Sequence, residues 1–224
     1  MFDAVIISDL HLGSFVCQAE LIVAFLSKIK SGEMLTKRLI LNGDVFDSWD
    51  FTRISKAHWK VLSTIRKLSD YVDVVWVVGN HDGPAEIVSH LLGVNVVDEY
   101  AFESGKKKVL VLHGDRFDNF LTDHPLITRI ADFFYGIIQR IDKSFWMAKK
   151  AKNTSKTFLR CAEQVRKSAL QYAHSNHCDL VCCGHTHLAE SNHEAGYFNS
   201  GCWTETPCHY LFVKNGCVGL CSTK

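Results

Sequence analysis

Five short apolar, β-branched runs in this chain all stop at the same kind of residue, and that regularity constrains the fold more than any other feature. Phe2–Ser8 leads into Asp9-Leu10-His11, Arg38–Leu41 into Asn42-Gly43-Asp44-Val45-Phe46-Asp47, and Val72–Val78 into Gly79-Asn80-His81-Asp82. Lys108–Leu112 leads into His113-Gly114-Asp115, and Asp179–Cys183 into Gly184-His185-Thr186-His187. Runs of this length and type read as strands. Between the early ones, Cys17–Lys30 and Lys56–Leu68 carry apolar residues at three- and four-residue steps, the spacing of a helix with one buried face. Strand alternating with helix predicts an α/β domain. In an open α/β sheet, ligands collect beyond the carboxyl ends of the strands. Residues far apart in sequence are therefore predicted to meet at one edge.

Two later runs, Tyr197–Asn199 and Tyr210–Val213, have no helix between them. Asn215-Gly216 is a type I′ turn signal, so the C-terminus is predicted to close as a hairpin of Tyr210–Val213 against Val218–Cys221. Three prolines and no Ser/Gly-rich linker give a single domain over residues 1–224. At 47% hydrophobic and 22% charged, the chain is neither disordered nor fibrous. No apolar run approaches the ~20 residues that span a bilayer. The opening MFDAVIISDLHLG lacks a basic leader and carries an acidic break, so it reads as a first strand and the expected compartment is the cytoplasm. The nine cysteines contain no CxxC pair and read mainly as buried thiols.

The residue types at the strand ends decide the chemistry. Carboxylates, imidazoles and one amide oxygen, without thiolates, suit Mn²⁺, Fe or Zn²⁺. Asp-x-His and His-x-His are expected to place two donors on the same side of a strand end, because side chains alternate with a period of two. Asp9, His11, Asp44, Asn80, His113, His185 and His187 are too many donors for one tetrahedral ion and suit two ions sharing a carboxylate. Each piece alone is weak, since a lone Asp-x-His is more often a solvated loop and Gly-Asn-His-Asp a turn. Five pieces in order, each at a strand end, outweigh that reading. No Gly-x-Ser-x-Gly, reactive-Cys arrangement or Gly-rich loop ending in Lys-Ser/Thr competes for the role.

One segment breaks the alternation. From about 118 to 172 the chain reads as two or more helices without a strand, a helical insertion over the α/β core. Arg129–Lys167 holds ten basic residues against three acidic ones, so this stretch carries +7 in a chain of net charge +1. Leu126, Ile130, Phe133, Phe134, Ile137 and Ile141 fall on helical spacing. The stretch can line an apolar groove, rest on an anionic lipid surface, or pack on the core with a solvated charged face.

The ordered set Asp-x-His, Gly-Asp-x-x-Asp, Gly-Asn-His-Asp, His and Gly-His-x-His resembles the calcineurin-like metallophosphoesterase family over nearly the whole chain. The resemblance implies a four-layer αββα sandwich with a dinuclear centre. It would put one ion on Asp9, His11 and His187, the other on Asn80, His113 and His185, and Asp44 between them. His81 matches the catalytic histidine that contacts the phosphate or protonates the leaving oxygen, and Asp47 the acid that orients it. Asp82 and Asp115 are supporting candidates for which a turn-capping role is equally open.

Within the family, ISDLHLG, LNGDVFDSW, HGDRFD, CGHTH and the helical insertion look like the UDP-2,3-diacylglucosamine pyrophosphatases of lipid A synthesis. That likeness implies two Mn²⁺ ions, with Zn²⁺ or Fe as alternatives, and a phosphorylated small-molecule or lipid-linked nucleotide substrate. It also implies peripheral contact with the inner face of a membrane, and makes Asn153, Ser155 and Lys156 substrate contacts in the cap beside Asn80 and His81. One residue departs from that pattern: those enzymes usually carry Arg after the third-motif Asn, where this chain has His81. Another nucleotide, nucleotide-sugar or phosphodiester substrate therefore stays open, as does a non-catalytic metal-bound docking module. Nucleic acid is disfavoured as a partner.

Overall fold

The computed structural model describes residues 1–83, 85–118 and 155–223. Four parallel strands, β1 (Ala4–Ile7), β2 (Arg38–Asn42), β3 (Asp73–Val77) and β4 (Asn95–Val97), form one half of the fold. The hairpin of β10 (Cys208–Lys214) and β11 (Cys217–Thr223) adds to β1 antiparallel, giving the order β11-β10-β1-β2-β3-β4. Its two-residue turn has φ +50° at Asn215 and +77° at Gly216, the double left-handed geometry that the Asn-Gly pair predicts. The second sheet joins β5 (Tyr100–Ser104), β6 (Lys107–Val111), β7 (Leu180–Cys183), β9 (Tyr197–Asn199) and β8 (Glu190–Asn192), in that spatial order. Within it β6, β7 and β9 are parallel.

The layers follow from strand alternation. Ala4 and Ile6 of β1, Ile40 of β2 and Val75 and Val77 of β3 face the space between the sheets, where they meet Val109 and Val111 of β6 and Leu180 and Cys182 of β7. Their neighbours Val5, Ile7, Leu39, Leu41, Val74 and Trp76 turn outward onto α1 (Ala19–Lys30) and α2 (Lys56–Leu68). The helices meet them with Ile22, Phe25, Leu26 and Ile29, and with Val61, Leu62, Ile65 and Leu68. On the far side, Leu110, Leu112, Val181 and Cys183 pack against Ala169 and Ala173 of α4 (Lys156–Ser175). Small residues on α4 let the helix sit close to the sheet. A further helix, α3 (Ala85–Leu92), precedes β4. The result is the αββα sandwich. Each buried Leu, Ile, Val or Phe adds roughly 1.5–3 kcal/mol relative to an exposed one.

Four features differ from the sequence reading. Extended structure in β1 stops at Ile7, because Asp9 turns left-handed. Strands β4, β5 and β8 and helix α3 are additional. Of the expected insertion at about 118–172, α4 packs as the outer layer of the sandwich, and residues 119–154 lie outside the described residues. All nine cysteines stand outside disulfides, but only Cys182, Cys183, Cys202 and Cys208 are buried, while Cys217 is exposed because it opens the edge strand β11.

Candidate active site

The ends of β1, β2, β3, β6 and β7 meet at one edge of the sandwich. Asn42 at the end of β2 stitches the two sheets together, its side-chain amide donating to the carbonyl of Leu112 at 3.1 Å. Beyond β1 and β2 the backbone continues as paired irregular loops, with the Asp9 N–H on Gly43 O and the His11 N–H on Asp44 O, both at 3.0 Å. Gly13 N–H donates to Nδ1 of His58 at 3.1 Å, which anchors the loop after His11 to the N-terminus of α2. Two glycines in these loops leave no room for a side chain. A Cβ on Gly43 would lie 2.2 Å from Nδ1 of His113, and one on Gly79 2.4 Å from Oδ1 of Asp44.

Seven non-glycine residues among those described have positive φ, and five of them are Asp9, His11, Asp44, His185 and His187. The donors thus converge through left-handed residues at the strand ends, and the pleat alternation assumed from Asp-x-His and His-x-His does not operate there. Such residues cost of order 1–3 kcal/mol each and persist where the surroundings enforce them, commonly at active sites.

Three overlapping groups of donor atoms result: Asp9, His11 and His187; His11, Asp44 and His81; and Asp44, His113 and His185, each group within 4.8 Å. His187 Nε2 is 3.1 Å from Asp9 Oδ1, and His113 Nε2 3.3 Å from Asp44 Oδ2. His11 Nε2 lies 3.2 Å from His187 Nε2 and 3.8 Å from Asp44 Oδ2. Asp9, His11, Asp44 and His113 are buried, His185 and His187 half-buried, and Asn80 exposed at the rim.

The electrostatics favour positive charge. Burial works against the Asp9 and Asp44 carboxylates, yet neighbouring imidazoles outweigh it and hold both pKa values below the usual carboxylate range. Burial likewise opposes charging of His113, but the carboxylates of Asp44 and Asp9 push that ring up to about 10. Asp9 Oδ1 and His113 Nε2 are buried without an aligned hydrogen-bond partner. Buried polar atoms of that kind are rare and call for a ligand or ion. The orphaned atoms, the thiolate-free donors and the field fit divalent cations.

Hydrogen bonds fix several ring orientations. His113 Nδ1 faces the carbonyl of Asn42 at 2.8 Å, and His81 Nδ1 the carbonyl of Asp47 at the same distance. A carbonyl only accepts, so both rings donate from Nδ1 and turn Nε2 toward the site. The Asp47 carboxylate, expected to orient His81, is engaged elsewhere: Oδ2 is 2.6 Å from Arg53 and Oδ1 3.5 Å from His11 Nδ1. The main chain of Asp47 holds His81, because its side chain points to the other end of the loop. Asp82 accepts from the N–H groups of Phe46 and Gly79 and from Trp76 Nε1, so it ties the β2 and β3 loops together. Burial, reinforced by Asp44, pushes its pKa up to about 6.

The expected cap contacts fare differently. Asn153 lies outside the described residues. Ser155 caps α4 by accepting from Phe158 N–H, and Lys156 is exposed on the first turn of that helix. Two residues the sequence reading missed sit at the site, Arg53 on Asp47 and Asp118 on His185 Nε2 at 3.0 Å. Beside Gly79 opens a groove of about 540 Å³ that includes Asp98, Glu99, Asp115 and Arg116.

Comparison with known proteins adds to this geometry. The sequence profile of a family described as Calcineurin-like phosphoesterase matches residues 3–189. No curated protein is significantly similar in sequence. Among solved structures, a dimetal phosphatase from Danio rerio aligns with TM-score 0.50 and 13% identity, over 99% of this chain and 95% of that one. Chaetomium thermophilum Vps29 aligns with TM-score 0.49 and 12% identity, over 100% and 96%. The Pseudomonas putida nuclease MPE aligns over 50% of this chain and 54% of its own, with TM-score 0.38 and 26% identity.

Proposed function

The chain belongs to the calcineurin-like phosphoesterase family and is a metal-dependent phosphohydrolase, and from that premise we propose that it cleaves a phosphoester or pyrophosphate bond at the joint ends of its two sheets. Asp9, His11 and His187 would hold one ion, Asn80, His113 and His185 the other, and Asp44 both. The observation that carries this reading is the meeting of the two outer donor groups at Asp44 and His11, with Asp9 Oδ1 and His113 Nε2 buried and lacking an aligned hydrogen bond. Two divalent ions held there, most simply Mn²⁺, would supply Lewis acidity toward phosphate oxygens and would lower the pKa of attacking water. His81 would supply the proton: with Nδ1–H held on the Asp47 carbonyl, the imidazolium form of the ring gives its Nε2 proton to the departing oxygen and is left neutral, with the lone pair on Nε2. The main chain of His81 also donates to Asp44 Oδ1 at 2.9 Å, which orients that carboxylate.

For the substrate we propose UDP-2,3-diacylglucosamine, cleaved to UMP and lipid X in lipid A synthesis. Support comes from the sequence elements ISDLHLG, LNGDVFDSW, HGDRFD and CGHTH. The basic 129–167 stretch would then meet anionic headgroups at the inner face of a membrane. No helix among the described residues is long and apolar enough to cross a membrane. A second reading, another nucleotide, nucleotide-sugar or phosphodiester, is favoured by His81 standing where the lipid A enzymes usually carry Arg.

The test is UMP release from UDP-2,3-diacylglucosamine by Mn²⁺-reconstituted protein, with metal-stripped protein as control. Metal-dependent UMP supports the lipid A substrate. Cleavage of bis-p-nitrophenyl phosphate without UMP release moves the assignment to the second reading. Metal binding with neither activity leaves a docking module.

A further inference from the structure

We propose that Asp118 is the positioning residue of the second metal site: its carboxylate accepts a hydrogen bond from the Nε2–H of His185 and so commits the Nδ1 lone pair to the ion. This rests on the reading of His185 as a ligand. Asp118 Oδ2 lies 3.0 Å from His185 Nε2, and the two side chains are only 15% and 8% exposed. A carboxylate accepts, so the ring donates from Nε2 and keeps its one lone pair on Nδ1. Three other rings of the site have their own orienting acceptors: Asn42 O for His113, Asp47 O for His81 and the Asp47 carboxylate for His11. Asp118 fills that place for His185.

The loop that carries Asp118 is built to hold it. Gly114, at φ +112°, turns the chain immediately after His113. The 3₁₀ turn Asp115–Phe117 then closes, with Phe117 N–H on Gly114 O at 3.1 Å and Asp118 N–H on Asp115 O at 2.9 Å. Arg116 in the middle of this turn is fixed from outside by Glu99 at 2.9 Å and the Asp98 carbonyl at 3.2 Å. One short loop therefore delivers His113 as a donor and reaches His185, 67 residues away from Asp118, from its other end. A carboxylate on the far nitrogen of a metal-bound histidine sets its tautomer and raises its basicity, and losing it usually weakens metal binding ~10–100-fold.

The experiment is Mn²⁺ titration of metal-free protein by calorimetry, with bound metal counted after dialysis. Wild type is expected to take two ions and His185→Ala one. Asp118→Ala should weaken the second ion ~10–100-fold and leave the first unchanged. Asp118→Asn, whose amide oxygen still accepts from Nε2–H, should recover most of that loss and guards against a folding defect in the alanine variant. Adding Asp118→Ala to His185→Ala should cost nothing further at the remaining site. Wild-type affinity in Asp118→Ala overturns the proposal, and so does an asparagine variant as weak as the alanine one, which would make Asp118 itself a ligand. Wild-type protein that takes no second ion overturns the two-metal reading, and this proposal with it.

Discussion

His81 Nδ1 lies 2.8 Å from the carbonyl oxygen of Asp47, so the ring that faces the phosphate site is steered by main chain. The consequence is an ordering of variants. Asp47→Asn keeps that carbonyl and perturbs only the contacts with Arg53 and His11. His81→Ala removes the proton donor itself.

His81→Ala is expected to lower turnover ~10²–10⁴-fold, the usual range for general acid–base catalysis, and to leave the metal content of the protein intact. Asp47→Asn should cost less. Elemental analysis beside steady-state rates on p-nitrophenyl phosphate checks both. Loss of an ion in His81→Ala would make His81 a ligand rather than the acid.

Asp44 stands between the donor groups, with Oδ2 3.3 Å from His113 Nε2 and 3.8 Å from His11 Nε2, and Oδ1 accepting the His81 N–H. Asp44→Asn removes the charge that the imidazoles surround. One or both ions should be lost and turnover should fall to background. Two ions retained at full rate would contradict the shared position.

Gly43 and Gly32 separate strain from collision. Their φ values are almost equal, +81° and +80°, but a Cβ at Gly43 would lie 2.2 Å from His113 whereas at Gly32 the nearest atom is 3.8 Å away. Gly32→Ala should cost only the left-handed backbone, about 1–2 kcal/mol. Gly43→Ala adds overpacking of about 1–3 kcal/mol and should displace His113, so metal affinity falls as well. Urea midpoints and metal content together test this; equal effects in the two variants would mean the Gly43 loop yields without disturbing the ring.

Much of this was legible because strand ends and turn residues act locally. The five apolar runs became β1, β2, β3, β6 and β7, and Asn215-Gly216 became the hairpin turn, since each depends only on neighbours in sequence. The donor residues were readable from their types and order. What carries them together was not: pleat alternation predicts paired donors, but left-handed φ at Asp9, His11, His185 and His187 does the placing. Short β4 and β8, three residues each, offer too little pattern to stand out. Tyr197–Asn199 and Cys208–Lys214 look like neighbours yet enter different sheets, a choice made by tertiary packing. The polar residues at the N-terminus of α4 suggested substrate contacts, and one of them, Ser155, is a helix cap. Asp118 ends the HGDRFD element but carried no assigned role, because its partner His185 is 67 positions away.

Asp3 offers a test of the frame away from the site. Its carboxylate accepts from Lys37 Nζ at 2.7 Å, from Ser104 Oγ at 2.8 Å and from the Asn215 N–H at 2.9 Å, so it joins the start of β1 to the β5–β6 and β10–β11 turns. Lys37 foremost, then the Asn215 N–H, lower its pKa to about 2. Between pH ~4 and about 2 the unfolded chain therefore binds this proton while the folded one does not, and stability falls as pH falls through that window. Asp3→Asn should destabilise by about 1–3 kcal/mol at pH 7, the scale of hydrogen bonds to a charged group. The gap between wild type and variant should narrow as the pH is lowered below 4. Urea unfolding of both proteins at pH 7, 5 and 3 measures that gap directly, and a pH-independent difference would show that Asp3 acts by packing rather than by its charge.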